Sequence, residues 1–260
     1  MNLRLIHPRR LRLSLFYRLS RWFPNLFATP RFPAGLDFAD VTLSHLLPTD
    51  HLHRQILHTG FYEEDLSRWL SHTARTEGGL LVDVGANIGY FTALWLAGRT
   101  DNTAHCFEPS PRNLQLLAGN LAQPKLQGRH TIHPTALSRE SGRMNFDPGP
   151  EEQTGWGGLD PSNSSLAVSV DVRRLDDVLP EARITVLKID CEGADPWVIE
   201  GASKLLERQL IRHVVFENNP SRSRQLGTST PKAIELLKSC GYKVDPLSPR
   251  SENEFHAYVG

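Results

Sequence analysis

The stretch DVGANIGY, from Asp83 to Tyr90, decides the fold of this 260-residue chain. It follows the apolar run Leu80–Val84, which is typical of a buried strand, and it opens a segment whose apolar residues recur at helical spacing. Gly85 and Gly89 let the backbone turn sharply and approach a ligand, and the free amides at the helix start face whatever binds there. Strand, glycine turn and helix in this order predict a nucleotide site at the carboxyl end of the strand.

Outward from this turn, the chain alternates between strand-like and helix-like segments. The patterns predict strands at 103–107, 129–133, 184–189, 211–216 and 254–259, and helices at 90–97, 110–121, 195–206 and 231–240. Such alternation implies parallel strand pairing with right-handed crossovers. We therefore predict an α/β fold with a doubly wound, mostly parallel, Rossmann-like sheet.

The bulk composition excludes several classes of protein. Lysine plus arginine number 29, as do aspartate plus glutamate, so no nucleic-acid partner is expected. The three cysteines are odd in number and widely spaced, which indicates free thiols in a reducing compartment. No stretch is apolar for long enough to span a membrane. These features predict a cytoplasmic protein.

The N-terminal segment differs from the rest in its charge. Residues 1–36 carry seven arginines and no acid. We predict a basic N-terminal extension with helical character over residues 1–50, followed by one domain over residues 51–260. The extension could contact a membrane peripherally through residues 1–35, act as a transit peptide, or pack on its own domain or on another subunit of a homo-oligomer. Packing is favoured, because Arg12 interrupts the apolar stripe.

The residues near the glycine turn indicate which nucleotide binds. Glu108 ends the second strand and can accept hydrogen bonds from the two ribose hydroxyls of an adenosine. Asp83 could reach the amino-acid end of such a ligand or brace the loop. Asn87 stands where a dinucleotide fingerprint has its middle glycine, and no Tyr-x-x-x-Lys pair occurs. These two features disfavour a dinucleotide-binding enzyme. We keep an NAD(P)-dependent oxidoreductase and a non-catalytic nucleotide-binding module as the alternative functions.

A second group of charged residues follows a later strand, in LKIDCEGAD at 187–195. Asp190 directly ends this strand, Glu192 follows it, and Glu217 ends the next one, so all three should share one crevice. A carboxylate there could be a general base or, with Asn218, could hold a divalent cation. Clustered acids are more often hydrogen-bonded than metal-bound, so we assign no metal ligand.

The segment 145–165 is rich in glycine and proline, and we interpret it as a long loop. Trp156 lies in it between two glycines. Its ring could stack on a sugar or an apolar substrate, or fold back onto the domain.

Several of these motifs together resemble the FkbM family of S-adenosylmethionine-dependent methyltransferases. They are DVGANIGYFT, the FEP of 107–109, LKIDCEG, the GFYE of 60–63, VRRLDDVL and VVFEN. The resemblance covers residues 60 to 240 and implies a class I methyltransferase fold behind the N-terminal extension. Asp195 departs from the family pattern, which usually has glutamate there.

This resemblance implies transfer of a methyl group from S-adenosylmethionine to a hydroxyl oxygen on a sugar, a glycan or a secondary metabolite. The cofactor residues are then expected to be Asp83, Gly85, Asn87, Gly89, Tyr90, Glu108, Pro109 and Asp190. Asp190 is the expected base, with Glu192 or Glu217 assisting. Tyr62, Glu63 and Trp156 are the expected substrate residues.

Overall fold

The computed structural model describes residues 32–160, 167–251 and 253–260. Its centre is a seven-stranded sheet in which every strand but one runs in the same direction. Across the sheet the strands are β12 (Lys243–Pro246), the antiparallel β13 (Glu254–Tyr258), β11 (Ile211–Glu217), β10 (Ile184–Ile189), β3 (Leu80–Val84), β4 (Thr103–Phe107) and β5 (His130–His133). This mostly parallel sheet confirms the predicted fold class.

Helices cover both faces of the sheet. Their bounds in the described residues are His51–Thr59, Glu64–Thr76, Tyr90–Gly98, Pro111–Leu121, Leu175–Val178, Asp195–Gly201, Ser203–Glu207, Pro220–Gln225 and Thr230–Ser239. Because side chains alternate along a strand, neighbouring residues enter opposite cores. Leu81 packs in the core that includes Leu70, while Val82 packs in the opposite core with Leu237. The sheet is therefore doubly wound.

A smaller sheet lies beside the central one and includes a few residues of the segment predicted as a long loop. Its order is β6 (Ala136–Leu137), β9 (Val168–Arg173), β7 (Gly142–Asp147) and β8 (Gly158–Leu159). Phe146 and Leu159 pack with Trp197 in a core of their own. The loop interpretation was wrong for β7 and β8, because their short, glycine-flanked strands carry too little apolar alternation to be recognised. Residues 161–166 lie outside the described residues.

The described part of the predicted extension packs on the domain as a hairpin of β1 (Phe32–Gly35) and β2 (Thr42–Leu46). Leu43 and Leu46 are fully buried, and the Ser44 amide donates to the Asn120 side chain at 2.8 Å. The basic helix predicted nearer the N-terminus falls on residues 1–31, outside the described residues. The boundary at residue 50 stays a prediction. No helix in the described ranges has the length and apolarity needed to cross a membrane.

Several elements differ from the sequence prediction, which did not include the helices His51–Thr59 and Glu64–Thr76 or strand β9. The helix expected over 195–206 ends at Gly201, and a second one begins at Ser203. At Gly201 the backbone passes so close to Ser138 that a Cβ would lie 2.2 Å from its carbonyl oxygen. Strand β12 was missed, because it is a mostly exposed strand at the sheet edge with no apolar pattern.

We expect Gly85→Ala to destabilise the fold by about 2–5 kcal/mol, since it combines an unfavourable backbone angle with an overpacked contact. Gly85 has a φ of 73°, and its Cβ would lie 2.0 Å from the Asp190 carbonyl oxygen. Gly119→Ala is the matched control: nothing lies within 4 Å of its Cβ position in a helix, so it should stabilise by about 0.5–1 kcal/mol. Urea unfolding measures both, and equal stability of the two variants would contradict the expected clash.

Candidate functional site

A cleft of about 640 Å³ opens at the carboxyl ends of β3 and β10. The helices that follow these neighbouring strands pack on opposite faces of the sheet, so the two connections diverge and leave a crevice between them. Gly85 and Asp190 meet at its base, where the close approach of their backbones leaves no room for a Cβ at position 85. The sequence therefore places a glycine turn and a carboxylate side by side at the switch point of the sheet.

Glu108 holds the glycine loop in place from the end of β4. One carboxylate oxygen accepts a hydrogen bond from the Asn87 amide and the other from the Ser110 amide, both at 2.8 Å. Asn87 adopts a left-handed φ of 48°, which presents its amide to Glu108. Burial raises the pKa of Glu108 to about 7, although the two amides act in the opposite direction. Each carboxylate oxygen keeps a lone pair for a further donor.

Lys188 is the charged group at the centre of the site, and its side chain is 2% exposed. Its Nζ lies 3.4 Å from a carboxylate oxygen of Asp83, 3.4 Å from one of Asp190 and 3.3 Å from the Gly85 carbonyl oxygen. Burial acts to lower the pKa of Lys188, but Asp190 and Asp83 outweigh it and hold that pKa above its ordinary value. Lys188 therefore stays protonated and joins the glycine loop to Asp190.

Two of the predicted cofactor residues stand behind the cleft rather than in its wall. Asp83 accepts a hydrogen bond from the Thr92 hydroxyl at 2.7 Å and faces Lys188. Gly89 starts the helix with a φ of 83°, and its Cβ would lie 2.8 Å from the Leu117 side chain. Both shape the loop from beneath.

Four carboxyl groups line the end of the cleft away from Glu108: Glu63, Asp190, Glu192 and Glu217. Burial first, and the nearby Asp190 second, raise the pKa of Glu192 to about 7 and that of Glu217 to about 8. The same two causes raise the pKa of Glu63 well above its ordinary value. Asp190 lies beside the Lys188 ammonium, while the raised pKa values leave Glu217 mostly protonated and Glu192 about half protonated at neutral pH.

Asp195 is buried beneath this group and is not the helix cap that its position suggests. Its carboxylate accepts hydrogen bonds from the amides of Cys191 at 3.2 Å and Glu217 at 3.0 Å. It thereby links the turn after β10 to the end of β11. Within the described ranges, no group of three or more His, Cys, Asp or Glu side chains is arranged to hold a metal ion.

The remaining predicted residues, Tyr62, Tyr90, Pro109 and Trp156, also line the cleft. The Tyr90 hydroxyl lies 2.9 Å from the Ser67 hydroxyl. Burial and the neighbouring Glu63 raise the pKa of Tyr62. Trp156 is 61% exposed at the rim, on a short turn beside the small sheet. The indole is therefore free to meet a ligand and does not fold back onto the domain.

Sequence analysis missed three further residues of the cleft wall. Asn113 and Thr154 are buried, and their side-chain oxygens have no partner among the described residues, as is also true of the Asn87 side-chain oxygen. Arg222 lines the opposite end. None belongs to a motif, and Thr154 and Arg222 reach the cleft only because the small sheet and the helix after β11 fold over it. No signal in the sequence pattern would have found them.

Comparison with known proteins agrees with this geometry. The family model described as "Methyltransferase FkbM domain" matches residues 83–244, which is more than half of the chain. The 31-O-demethyl-FK506 methyltransferase FkbM of Streptomyces tacrolimicus is 27% identical over 88% of this chain and 95% of its own. The 2-O-methyltransferase NoeI of Sinorhizobium fredii is 28% identical, covering 56% of this chain and 67% of its own.

A third relative is the hexuronic acid methyltransferase AglP of Haloferax volcanii. It is 28% identical to this chain and the match covers 60% of this chain and 62% of AglP. The family match includes the glycine loop, Glu108, Lys188 and Asp190, the same residues that build the cleft. The chain therefore belongs to the FkbM family of S-adenosylmethionine-dependent methyltransferases.

Proposed function

We propose that this methyltransferase moves the methyl group of S-adenosylmethionine to a hydroxyl oxygen on a sugar, a glycan or a glycosylated metabolite. The observation that carries the proposal is one cleft whose wall holds both the glycine loop with Glu108 and the carboxyl groups of Asp190, Glu192 and Glu217. Lys188 contacts both the loop carbonyl and Asp190. Donor and acceptor can then be held in one line, which is the main requirement of a methyl transfer.

The donor end of the cleft suits an adenosine. Glu108 keeps lone pairs for ribose hydroxyls, and the unpartnered oxygens of Asn87, Asn113 and Thr154 are buried acceptors that an amino group could satisfy. With Gly85, Tyr90 and Pro109 these residues would hold the donor. When bound, S-adenosylmethionine supplies a methyl group on a sulfonium, which is electrophilic without further activation.

At the other end, Asp190 would accept the proton of the acceptor hydroxyl as its oxygen bonds to the methyl carbon. The ammonium of Lys188, 3.4 Å from a carboxylate oxygen of Asp190, orients Asp190 for this step. Glu217, with a pKa of about 8, holds a proton near neutral pH, and Glu192, with a pKa of about 7, does so about half of the time; in their protonated forms both would donate hydrogen bonds to other oxygens of the acceptor. A divalent cation between Asp190 and Glu217 stays the alternative mechanism.

Trp156 and Tyr62 both line the cleft and would supply flat walls on which sugar rings stack. The name of AglP points to a sugar acid, that of NoeI to an oxygen acceptor, and that of FkbM to an oxygen of a secondary metabolite. These names support a small-molecule or glycan acceptor. Three further points stay predictions: peripheral membrane contact through residues 1–35, assembly into a homo-oligomer, and a cytoplasmic location.

We expect S-adenosylhomocysteine to bind with micromolar-range affinity and to bind more tightly as the pH rises. Ribose hydroxyls donate best to an ionised carboxylate, and the pKa of Glu108 is about 7, so affinity should increase by roughly tenfold from about pH 6 to about pH 8. Glu108→Gln should weaken binding at the higher pH by about 1.5–3 kcal/mol and flatten this pH dependence. Isothermal calorimetry measures both effects.

A variant with unchanged affinity and pH dependence would show that Glu108 does not contact the ribose. Heat from NAD, with none from S-adenosylhomocysteine, would contradict the donor assignment as a whole.

We expect Asp190→Asn to lower the turnover rate by about 10²–10⁴-fold, because the amide cannot accept the hydroxyl proton. Affinity for S-adenosylhomocysteine should change little. Mass spectrometry with an isotopically labelled methyl donor and a panel of sugars, glycans and metabolites measures the rate. Asp171→Asn, at an exposed position on β9, is the matched control and should retain full activity.

The same assay separates the two mechanisms. Loss of wild-type activity in a chelator, with recovery in magnesium or calcium, would favour the metal mechanism. Wild-type turnover in a folded Asp190→Asn variant would contradict both.

A further inference from the structure

Arg222 has an unusual position in the cleft wall. It lies in the helix Pro220–Gln225, directly after β11, and lines the cleft together with Glu192 and Asn219. Two glycines make room for it. A Cβ on Gly193 would lie 2.5 Å from the Cβ of Arg222, and one on Gly158 would lie 2.6 Å from a terminal guanidinium nitrogen. The local backbone is therefore built to let this long side chain reach the cleft.

The guanidinium has no partner in the part of the chain that the structure describes. The Arg222 backbone amide donates to the Asn219 side chain, but no side-chain hydrogen bond or ion pair forms. Lys188, the other strong cation of the cleft wall, is enclosed by three oxygens of the protein. Arg222 is half-buried and carries five N–H donors, which need acceptors when water is displaced.

The neighbouring carboxyl group of Glu192 does not neutralise the charge of the Arg222 guanidinium. Burial and Asp190 raise the pKa of Glu192 to about 7, although Arg222 acts to lower it. Glu192 therefore carries only part of a negative charge at neutral pH, and its carboxylate already accepts a hydrogen bond from the Asn219 side chain at 3.2 Å. A positive charge with free donors remains at the acceptor end of the cleft.

We propose that Arg222 is the subsite for a carboxylate on the acceptor, which makes the preferred acceptor a sugar acid of the uronic type. The assignment rests on the proposed function, because it takes this end of the cleft as the acceptor site. A guanidinium pairs with a carboxylate through two parallel hydrogen bonds, and this geometry fixes orientation as well as affinity. The acceptor would then lie with its carboxylate on Arg222 and one hydroxyl at Asp190.

The test compares two sugars that differ in one group, para-nitrophenyl glucuronide and para-nitrophenyl glucoside. Calorimetry on the full chain saturated with S-adenosylhomocysteine gives both dissociation constants. We expect the glucuronide to bind at least about tenfold more tightly, as a charge-assisted pair contributes. Arg222→Met should reduce this preference to about twofold or less, and Arg222→Lys should leave an intermediate preference because it keeps the charge without the planar fork.

Arg224→Met is the matched control, since Arg224 lies on the same helix, is exposed, and donates to the Pro220 carbonyl oxygen at 3.1 Å. It should keep the full preference. Circular dichroism and S-adenosylhomocysteine affinity confirm that each variant is folded.

Equal binding of the two sugars, no binding of the glucuronide, or a preference that survives Arg222→Met would overturn the assignment. So would an alkali-labile methyl ester as the product, because it would place the carboxylate at Asp190. If S-adenosylhomocysteine binds and a neutral sugar is methylated, the proposed function stands and the Arg222 subsite falls. If S-adenosylhomocysteine does not bind, the proposed function itself fails.

Discussion

The buried ammonium of Lys188 is the interaction on which both the sheet and the site depend. It sits on β10 directly opposite Asp83 on β3, and it also faces Asp190 and the Gly85 carbonyl oxygen. A slip of one residue between these strands would turn the ammonium to the other face and leave a buried charge unpaired, at a cost of several kcal/mol. The register that defines the centre of the sheet therefore also fixes the floor of the cleft.

The same ammonium accounts for the presence of so many carboxyl groups at one end of a cleft. Close carboxylates cannot all be ionised in a low-dielectric site, so the proton distribution is decided by whichever one has a cation beside it. Asp190 has Lys188 at 3.4 Å, whereas burial keeps protons on Glu217 and Glu63. A carboxyl group beside a cation, with neighbours whose pKa values are raised, is the arrangement that a general base with hydrogen-bonding partners requires.

The sequence predicted the parts of the site that depend on local geometry, and missed those that depend on long-range packing. A glycine turn between an apolar strand and a helix is typical of the crevice at a sheet's switch point, so Gly85 and Glu108 were placed correctly relative to the sheet. Arg222 and Thr154 enter the cleft through elements whose positions are set by the small sheet. Strand β8 has only two residues, and β7 has six but buries only one of them, so neither shows an alternating apolar pattern that separates it from a loop.

This division has a physical consequence for how acceptor specificity can vary. The proposed donor end is formed by β3, β4 and β10, where Lys188, Gly85 and the strand register constrain one another. The proposed acceptor end is formed by the turn around Trp156, by β8 and by the helix after β11, which contribute surface residues and few central-core contacts. A methyl transfer needs mainly alignment of its two substrates, so a different acceptor requires a different cleft wall at the acceptor end but the same methyl-transfer chemistry. The relatives named for FK506 and for a hexuronic acid differ in the acceptor that their names give, and the proposed wall with Trp156 and Arg222 is where such a difference would lie in this chain.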